Sequence, residues 1–358
     1  MKNIRIAIAG IGNCASALIQ GVEYYKNTDD EPIGVMPELG GYTIPNLEFV
    51  VGFDVHKDKV GKSLGESIFV APNCVEFLHN ADSQTGQVLK GEVLDGLDSA
   101  IGEFVPTDQS QQPVDLEEVF RKYEIDVLII LLPTGSQKAA EYYARAAIAA
   151  GCAVVNGMPA AIANNEELIK QAEDKKVPII GDDIKSQIGA TITHRALTNL
   201  FPIRHAIVDR TIQLDWGGDM DFRNLTSNQR YDTGGKRRSK TEAVIDGLPN
   251  RDTIEAHVSA VDYIPFLKNQ KEAYTRIEGR IFGGKSVRLD LMIQVQDAYN
   301  SAGILVDALR VAMVGKQRSV GGVIHSAASL FNKRPPKQLP DTLANERLQK
   351  FLNGELDN

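Results

Sequence analysis

Eight lysines and aspartates between Gly181 and Lys333 could carry chemistry: Asp183, Lys185, Asp221, Lys236, Lys240, Lys271, Asp297 and Lys333. Ammonium groups hold polyanions, and a lysine beside like charges can also give or take a proton. The series reads as a polyanion-binding, proton-transferring site. Spacing alone leaves a plainer explanation open for each member. Asp183 and Lys185 lie two apart, so on an extended segment they point the same way, as a tuned pair or as an ordinary exposed ion pair. Lys236 and Lys240 lie four apart and share a face at a helix start, as an anion site or as part of a solvated basic loop. Asp221 follows Gly217 and Gly218, which allow backbone to approach a ligand or simply make a turn. Asp297 ends a strand near Asn300, while Lys271 and Lys333 by themselves look like surface lysines. The six histidines show no metal-ligand spacing, and neither a GxSxG motif nor a Cys/His pairing points to nucleophilic catalysis.

Such a site needs elements to position it. The apolar run 4–9 leads into Gly10-Ile11-Gly12-Asn13-Cys14-Ala15, after which Ala17, Leu18 and Val22 recur at helical spacing. This is the G-x-G-x-x-A pattern of a dinucleotide-binding turn. Gly10 permits the turn, Gly12 admits a pyrophosphate to backbone N–H groups, and Ala15 lets helix pack on strand. Asp54 ends the next strand (47–53), where a carboxylate would hold an adenosine ribose and favour NAD over NADP; a solvated acid at a strand end is the plainer explanation. The polar excursion 26–46 accounts for the long spacing between the two. Pro133, Thr134 and Gly135 follow the strongest strand (127–132) and Asn156 the next (153–155), where open α/β sheets contact ligands; plain turn chemistry explains the same residues.

Strand and helix alternate through 116–180, which predicts a parallel sheet covered by helices. Residues 60–115 read as an insertion of hairpin or short helical pieces. Beyond Gly189 a helix near 191–200 precedes strand-like runs at 205–214, 257–264, 275–282 and 287–296. Few helical patterns separate these runs, so an antiparallel sheet is expected. Segment 228–239 reads as a mobile loop, and a long apolar helix returns at 301–314. The expected class is α/β. A Rossmann-type NAD-binding domain comprises 1–186 plus 297–358, and an α+β sheet domain for catalysis and oligomerisation, 187–296, is inserted into it.

At 358 residues the chain is long for one core, which agrees with two domains. A net charge of −8 argues against a general nucleic-acid binder without excluding a local basic pocket. Cys14, Cys74 and Cys152 make no CxxC pair, so neither a disulfide framework nor a structural zinc is indicated. That usage fits a reducing cytoplasm. No signal-peptide h-region precedes the first strand, and no apolar run reaches the roughly eighteen residues of a membrane span. The expectation is a cytoplasmic protein with no membrane or nucleic-acid partner.

The segments IAGIGNCASALIQGVEYY, GDDIKSQIGATITHRALTNLF, GGDMDF, SKTEAV, EGRIFGG, NSAGILVDALR and SLFNKRPPKQLP keep their order along nearly the whole chain. They resemble the myo-inositol-1-phosphate synthase family in its shorter bacterial and archaeal form. That resemblance implies an NAD-dependent isomerase of glucose 6-phosphate with no net redox change, and a homotetramer. The substrate would be oxidised at C5 and lose a proton at C6; C6 would attack the C1 aldehyde, and the ketone would be reduced back. Matched motif by motif, the resemblance assigns catalysis to Asp183, Asp221, Lys236, Lys240, Lys271, Asp297 and Lys333. It adds Ser186 and Tyr143 as cofactor or substrate contacts beside Gly10, Gly12, Asn13, Cys14, Ala15, Asp54, Pro133, Thr134, Gly135, Asn156 and Asp183. A monovalent or divalent cation, if one binds, is expected near Asp183 and Asp221. Two departures stand out: Asp219, where the family commonly has asparagine, and the small run Asn156-Gly157-Met158-Pro159-Ala160. A related enzyme of another sugar phosphate and a non-catalytic NAD-binding sensor are the competing readings.

Overall fold

The computed structural model describes residues 2–97, 101–227, 236–245 and 248–356, with the side chains of 227 and 236–240 outside that description. Ile4–Ala9 (β1) is apolar at nearly every position and almost wholly buried, as a central strand of a parallel sheet must be when helices cover both faces. Leu47–Asp54 (β2), Gln87–Lys90 (β3), Val127–Ile130 (β4), Ala153–Asn156 (β5) and Pro178–Ile180 (β6) continue that sheet. A second sheet follows, made of Ile207–Gly217 (β7), Glu255–Tyr263 (β8), Gln270–Arg280 (β9) and Ser286–Gln296 (β10). The chain then returns through Gly322–Val323 (β11) to the edge of the first sheet beside β6.

The first sheet runs β11-β6-β5-β4-β1-β2-β3 with every pair parallel. Its strand order reverses between β1 and β4, and the crevice at that switch point, outside the carboxyl ends of the strands, is where such sheets take ligands. Segment 60–115 therefore does more than insert. It holds a short helix, Leu64–Ser67, and β3, the third parallel strand of the nucleotide-binding half. The four residues QVLK are too short a run to announce a buried edge strand.

The second sheet has the order β10-β9-β7-β8. β7, β9 and β10 are antiparallel as expected, but β8 lies parallel to β7. A parallel neighbour needs a crossover, and the helices Met220–Ser227 and Lys236–Ile245 lie between the two strands in the chain. Residues 236–239, assigned to a mobile loop, thus open a helix; 228–235 lie outside the described residues. Helices Ala190–Ile203 and Lys236–Ile245 pack together and against strands of this sheet. β7 alternates buried and partly exposed residues, the pattern of a sheet covered on one face. Among the described residues no helix is long and apolar enough to cross a membrane.

Helix Asp297–Gln317 joins the two sheets. It starts at the end of β10 and packs along helix Asn13–Lys26 and strands of the first sheet. The excursion 27–46 straps it down. Asp307 accepts from Met36 N–H at 3.2 Å, and the fully buried Arg310 pairs with Asp307 and donates to the carbonyls of Met36 (2.7 Å) and Tyr42 (3.2 Å). Burial raises the Asp307 carboxyl to about 6 despite Arg310 opposing it. Removing one partner leaves an uncompensated buried charge. Asp307→Ala is therefore expected to lower the unfolding free energy by about 3–5 kcal/mol; a urea midpoint unchanged from wild type would refute the strap.

Candidate active site

The cleft opens at the carboxyl ends of β1 and β4. Gly10, at φ +94°, donates its N–H to Phe53 O at 2.9 Å, and a Cβ there would stand 2.6 Å from Leu131 O. Only glycine fits. Gly12 differs: its φ is −99°, and an added Cβ would meet no protein atom within 4 Å. Neither strain nor protein packing calls for a glycine here, so the missing side chain leaves room for a ligand. Helix Asn13–Lys26 begins at this point with no side-chain cap and no acid in its first turn. An uncapped helix N-terminus beside an open glycine suits a pyrophosphate, so these residues fit a dinucleotide. Ala15 is fully buried where the helix packs.

Asp54 accepts from Ile11 N–H (3.0 Å) on one oxygen and from Val55 (2.7 Å) and His56 (2.9 Å) N–H on the other. These bonds fix the carboxylate beside the glycine turn with lone pairs to spare. Lys59 escaped the sequence reading. Its nearly buried ammonium donates to Ile11 O at 2.6 Å and stands 3.9 Å from Asp54. Burial pulls its pKa down and Asp54 pulls it back up. No spacing rule would have singled out this lysine in VHKDK. Asn13 brackets Cys74 with two side-chain contacts. Burial, followed by Asp297, Asp219 and Asp221, pushes the Cys14 thiol up to about 12; it is a neutral wall group.

On the other side of the cleft the second sheet delivers its residues. Thr134 Oγ1 donates to Asp221 at 2.9 Å, and Asn224 Nδ2 donates to Thr134 O at 2.8 Å, docking helix Met220–Ser227 onto the loop after β4. Asp219, the added carboxylate, caps that helix: it accepts from Asp221 N–H (3.0 Å), Phe222 N–H (3.2 Å) and Asn269 Nδ2 (3.3 Å). Asparagine also caps helices, but its amide nitrogen could not accept from Asn269, whose own Oδ1 is taken by Ala298 N–H, so here the carboxylate satisfies donors that an amide would not. Gly217 and Gly218 serve protein packing. A Cβ at Gly217 would strike the Phe222 ring at 2.5 Å, and one at Gly218 would lie 2.4 Å from Lys268 N.

Two ion pairs face the same cleft. Lys271, on β9, stands 3.5 Å from Asp297, which occupies the first turn of helix Asp297–Gln317. Lys333 donates to Asp183 at 2.8 Å. Their backbones form a short antiparallel ladder: Lys333 N–H to Asp183 O (2.6 Å), Arg334 N–H to Asp182 O (3.0 Å) and Lys185 N–H to Phe331 O (2.7 Å). Asp183, Ser186, Asp221, Lys271, Asp297 and Lys333 all line the cleft with Gly10, Gly12, Asn13, Cys14, Asp54, Pro133, Thr134 and Tyr143. Asn156 does not. It is fully buried, its amide donating to Met158 O, Ala160 O and Asp182 Oδ1 at 2.7–3.0 Å. It knots the loop from beneath, while Gly157, Met158 and Pro159 reach the cleft. Gly135 takes the turn at φ +98° and is not a lining residue. The side chains of Lys236 and Lys240 lie outside the described residues. Among the described residues no group of three or more His, Cys, Asp or Glu could hold a metal.

A myo-inositol-1-phosphate synthase family model matches residues 189–298. The chain is 43% identical to the inositol-3-phosphate synthase of Corynebacterium glutamicum over 98% of both chains. It is 41% identical to that of Mycobacterium tuberculosis over 98% of this chain and 96% of the relative. A solved myo-inositol-1-phosphate synthase-related protein from Thermotoga maritima superimposes with a TM-score of 0.79, covering 98% of both chains. At 23% identity it bears on the fold alone.

Lys185 turns away from the cleft. Asp183 has φ +62°, which breaks the extended alternation, so the two side chains do not point the same way. The Lys185 ammonium donates instead to Ser329 O (2.8 Å) and Asp341 (2.9 Å), which also meets Arg195 at 3.2 Å. Burial lowers the Lys185 pKa from 10.5 to about 8, with Asp341 opposing and Arg195 and Lys333 adding to the fall. Between those values the unfolded chain keeps a proton that the folded chain has released, so this group makes stability rise with pH there. In denaturant titrations from pH 7 to 10.5 the stability of wild type relative to Lys185→Met should rise with pH, because the raised thiols of Cys14, Cys74 and Cys152 act alike in both proteins; equal slopes in both proteins would overturn the assignment.

Proposed function

The chain belongs to the myo-inositol-1-phosphate synthase family, and we propose that the cleft between its two sheets carries the family's reaction, with the glycine turn and the paired lysines dividing the work. The protein is an isomerase that converts glucose 6-phosphate to inositol 3-phosphate. The family is NAD-dependent. One observation carries this division of roles: the open, uncapped glycine turn lies in the same cleft as the Lys271–Asp297 and Lys333–Asp183 pairs.

Gly10, Gly12, Asn13 and Asp54 would hold the dinucleotide, with Lys59 bracing the turn. When bound, NAD supplies a hydride acceptor at substrate C5 and returns the hydride at the end, so no net oxidation results. The protein's own residues manage the protons and charge. Lys236, by resemblance, takes the proton of the C5 hydroxyl. Once C5 is a ketone, loss of a C6 proton puts negative charge on the C5 oxygen. A positioned ammonium lowers that barrier, and Lys271, held by Asp297, is assigned the task together with Lys240. The substrate phosphate dianion, to be held by Lys333 and Lys240, is carried on the oxygen of C6 itself and is the base assigned to that proton. C6 then bonds to C1, and the C1 alkoxide takes a proton from a lysine. Asp183 and Asp221 orient their partners Lys333 and Thr134. A cation, where one takes part, enters with the phosphate beside Asp183 and Asp221, since hard cations take oxygen ligands.

The domain division at 187–296 follows this split, with the glycine turn on one unit and Asp221 and Lys271 on the other. We also assign the protein to the cytoplasm and to a homotetramer built on the open face of the second sheet. There Met292 on β10 and Val261 on β8 are about half exposed, and the partly exposed Tyr274, Ile212, Leu214 and Trp216 lie on the strands between them, which extends the apolar surface across the sheet. Met292→Lys should shift the mass measured by light scattering towards smaller species; an unchanged mass would remove this face from the interface.

Purified protein incubated with glucose 6-phosphate and NAD should yield an acid-stable inositol phosphate without net NADH. Accumulation of NADH would point to another sugar phosphate or a reaction halted at the ketone. Lys271→Met should lower kcat by about 10²–10³, the usual loss of one positioned oxyanion partner, while NAD binding persists. A variant with wild-type kcat would remove Lys271 from this role.

A further inference from the structure

The cofactor reading leaves the adenosine end of the cleft without an assigned wall, and the segment 91–97 supplies one. It leaves the carboxyl end of β3 next to Asp54, where Gly91 N–H donates to Asp54 O at 3.0 Å. From there it lies against the start of helix Gln137–Ala149, and two glycines make that contact possible. A Cβ at Gly91 would come within 2.1 Å of the Tyr143 hydroxyl, and one at Gly96, at φ +87°, within 1.9 Å of Ser136 Oγ. Between them Val93 and Leu94 line the cleft and stay 42% and 45% exposed. Two apolar side chains held open to solvent on a ligand cleft invite a flat apolar surface.

What holds the segment there is a carboxylate. Helix Gln137–Ala149 has no local side-chain cap and no acid in its first turn, because the Ser136 hydroxyl makes no capping bond. Asp95 fills the vacancy from the segment: one oxygen accepts from Lys138 N–H at 2.8 Å and the other from Ala139 N–H at 3.0 Å. Both bonds gain from the positive end of the helix dipole. They also divide labour between two helix N-termini at the cleft. The one at Gly12 stays open for a phosphate, and the one at Ser136 is closed by the protein itself.

We propose that Asp95 is a positioning residue for the dinucleotide: it latches segment 91–97 to helix Gln137–Ala149 and so holds Val93 and Leu94 as the wall for the adenine ring. The inference rests on the NAD reading. A segment freed from the helix would spend part of its time elsewhere, and apparent affinity falls by the fraction of time the wall is absent. The loss should appear only in ligands that carry adenosine.

The test uses the full-length enzyme and three probes: NAD, ADP-ribose and nicotinamide mononucleotide. For Asp95→Ala the dissociation constants of NAD and ADP-ribose should rise about five- to tenfold, the equivalent of one lost helix cap. The KM for NAD should rise in parallel, with kcat at saturating NAD, the KM for glucose 6-phosphate and nicotinamide mononucleotide binding unchanged. Asp95→Asn, which keeps one of the two acceptors and loses the charge, should recover only part of the loss. Leu94→Ser, a surface change that leaves the helix cap intact, should show the same split. Wild-type ADP-ribose affinity in both Asp95→Ala and Leu94→Ser would overturn the proposal while leaving the NAD reading intact. A fall in kcat with KM for NAD unmoved would overturn it as well. Failure of the wild-type protein to bind NAD would bring down the cofactor reading and this inference together.

Discussion

Four backbone hydrogen bonds between 182–185 and 331–334 hold the working parts of this molecule in one place. They set Lys333 beside Asp183 although 150 residues separate them. The chain leaves the nucleotide-binding sheet after β6, builds a second sheet, and must come home to the same edge; β11 beside β6 and the ladder at Asp183 are that return. Helix Asp297–Gln317 makes the passage back and carries Asp297 at its first turn. The Asp307–Arg310 strap then fixes the helix against the first sheet. With this closure in place, residues from distant parts of the chain meet across one cleft.

Charge is managed the same way throughout. Lys59 sits against Asp54 and Ile11 O, Lys185 against Asp341, Lys271 against Asp297 and Lys333 against Asp183. A buried ammonium without such a partner would lose its proton or unfold its surroundings. The pairing divides the lysines into two kinds. Lys185 is spent on anchoring helix Asp341–Leu352, whereas Lys271 and Lys333 have carboxylate partners and still line the cleft. Sequence spacing cannot separate these kinds, since both are lysines near aspartates. Helix termini divide likewise: Asp219 and Asp95 close two of them, and the start of helix Asn13–Lys26 is left without a side-chain cap.

Local patterns carried the first half of the fold. The run IRIAIA, the turn Gly10–Ala15 and the acid at Asp54 identify a nucleotide-binding unit because each feature acts within a few residues of itself. The alternation of strand and helix through 116–180 was legible for the same reason. Weak or non-local signals were lost. β3 has four residues and took its identity from pairing with β2. β8 looked like one more antiparallel strand because strand direction is set by its neighbour. Asn156 looked like a ligand contact and became a buried knot, since only its surroundings decide where an amide points.

The sequence by itself therefore determined the class of cofactor site, the order of the main strands and helices, and, through motif resemblance, the family and its chemistry. Tertiary structure alone decided which charged residues share a cleft. Periodicity and turn chemistry act over one or two turns of chain, whereas Asp183 meets Lys333, Asp221 meets Thr134 and Asp95 meets Ala139 only after the long loops have closed. Asp219 shows the difference at a single position. By type it was an unexplained charge beside a phosphate site, and folded it is the acceptor that starts a helix.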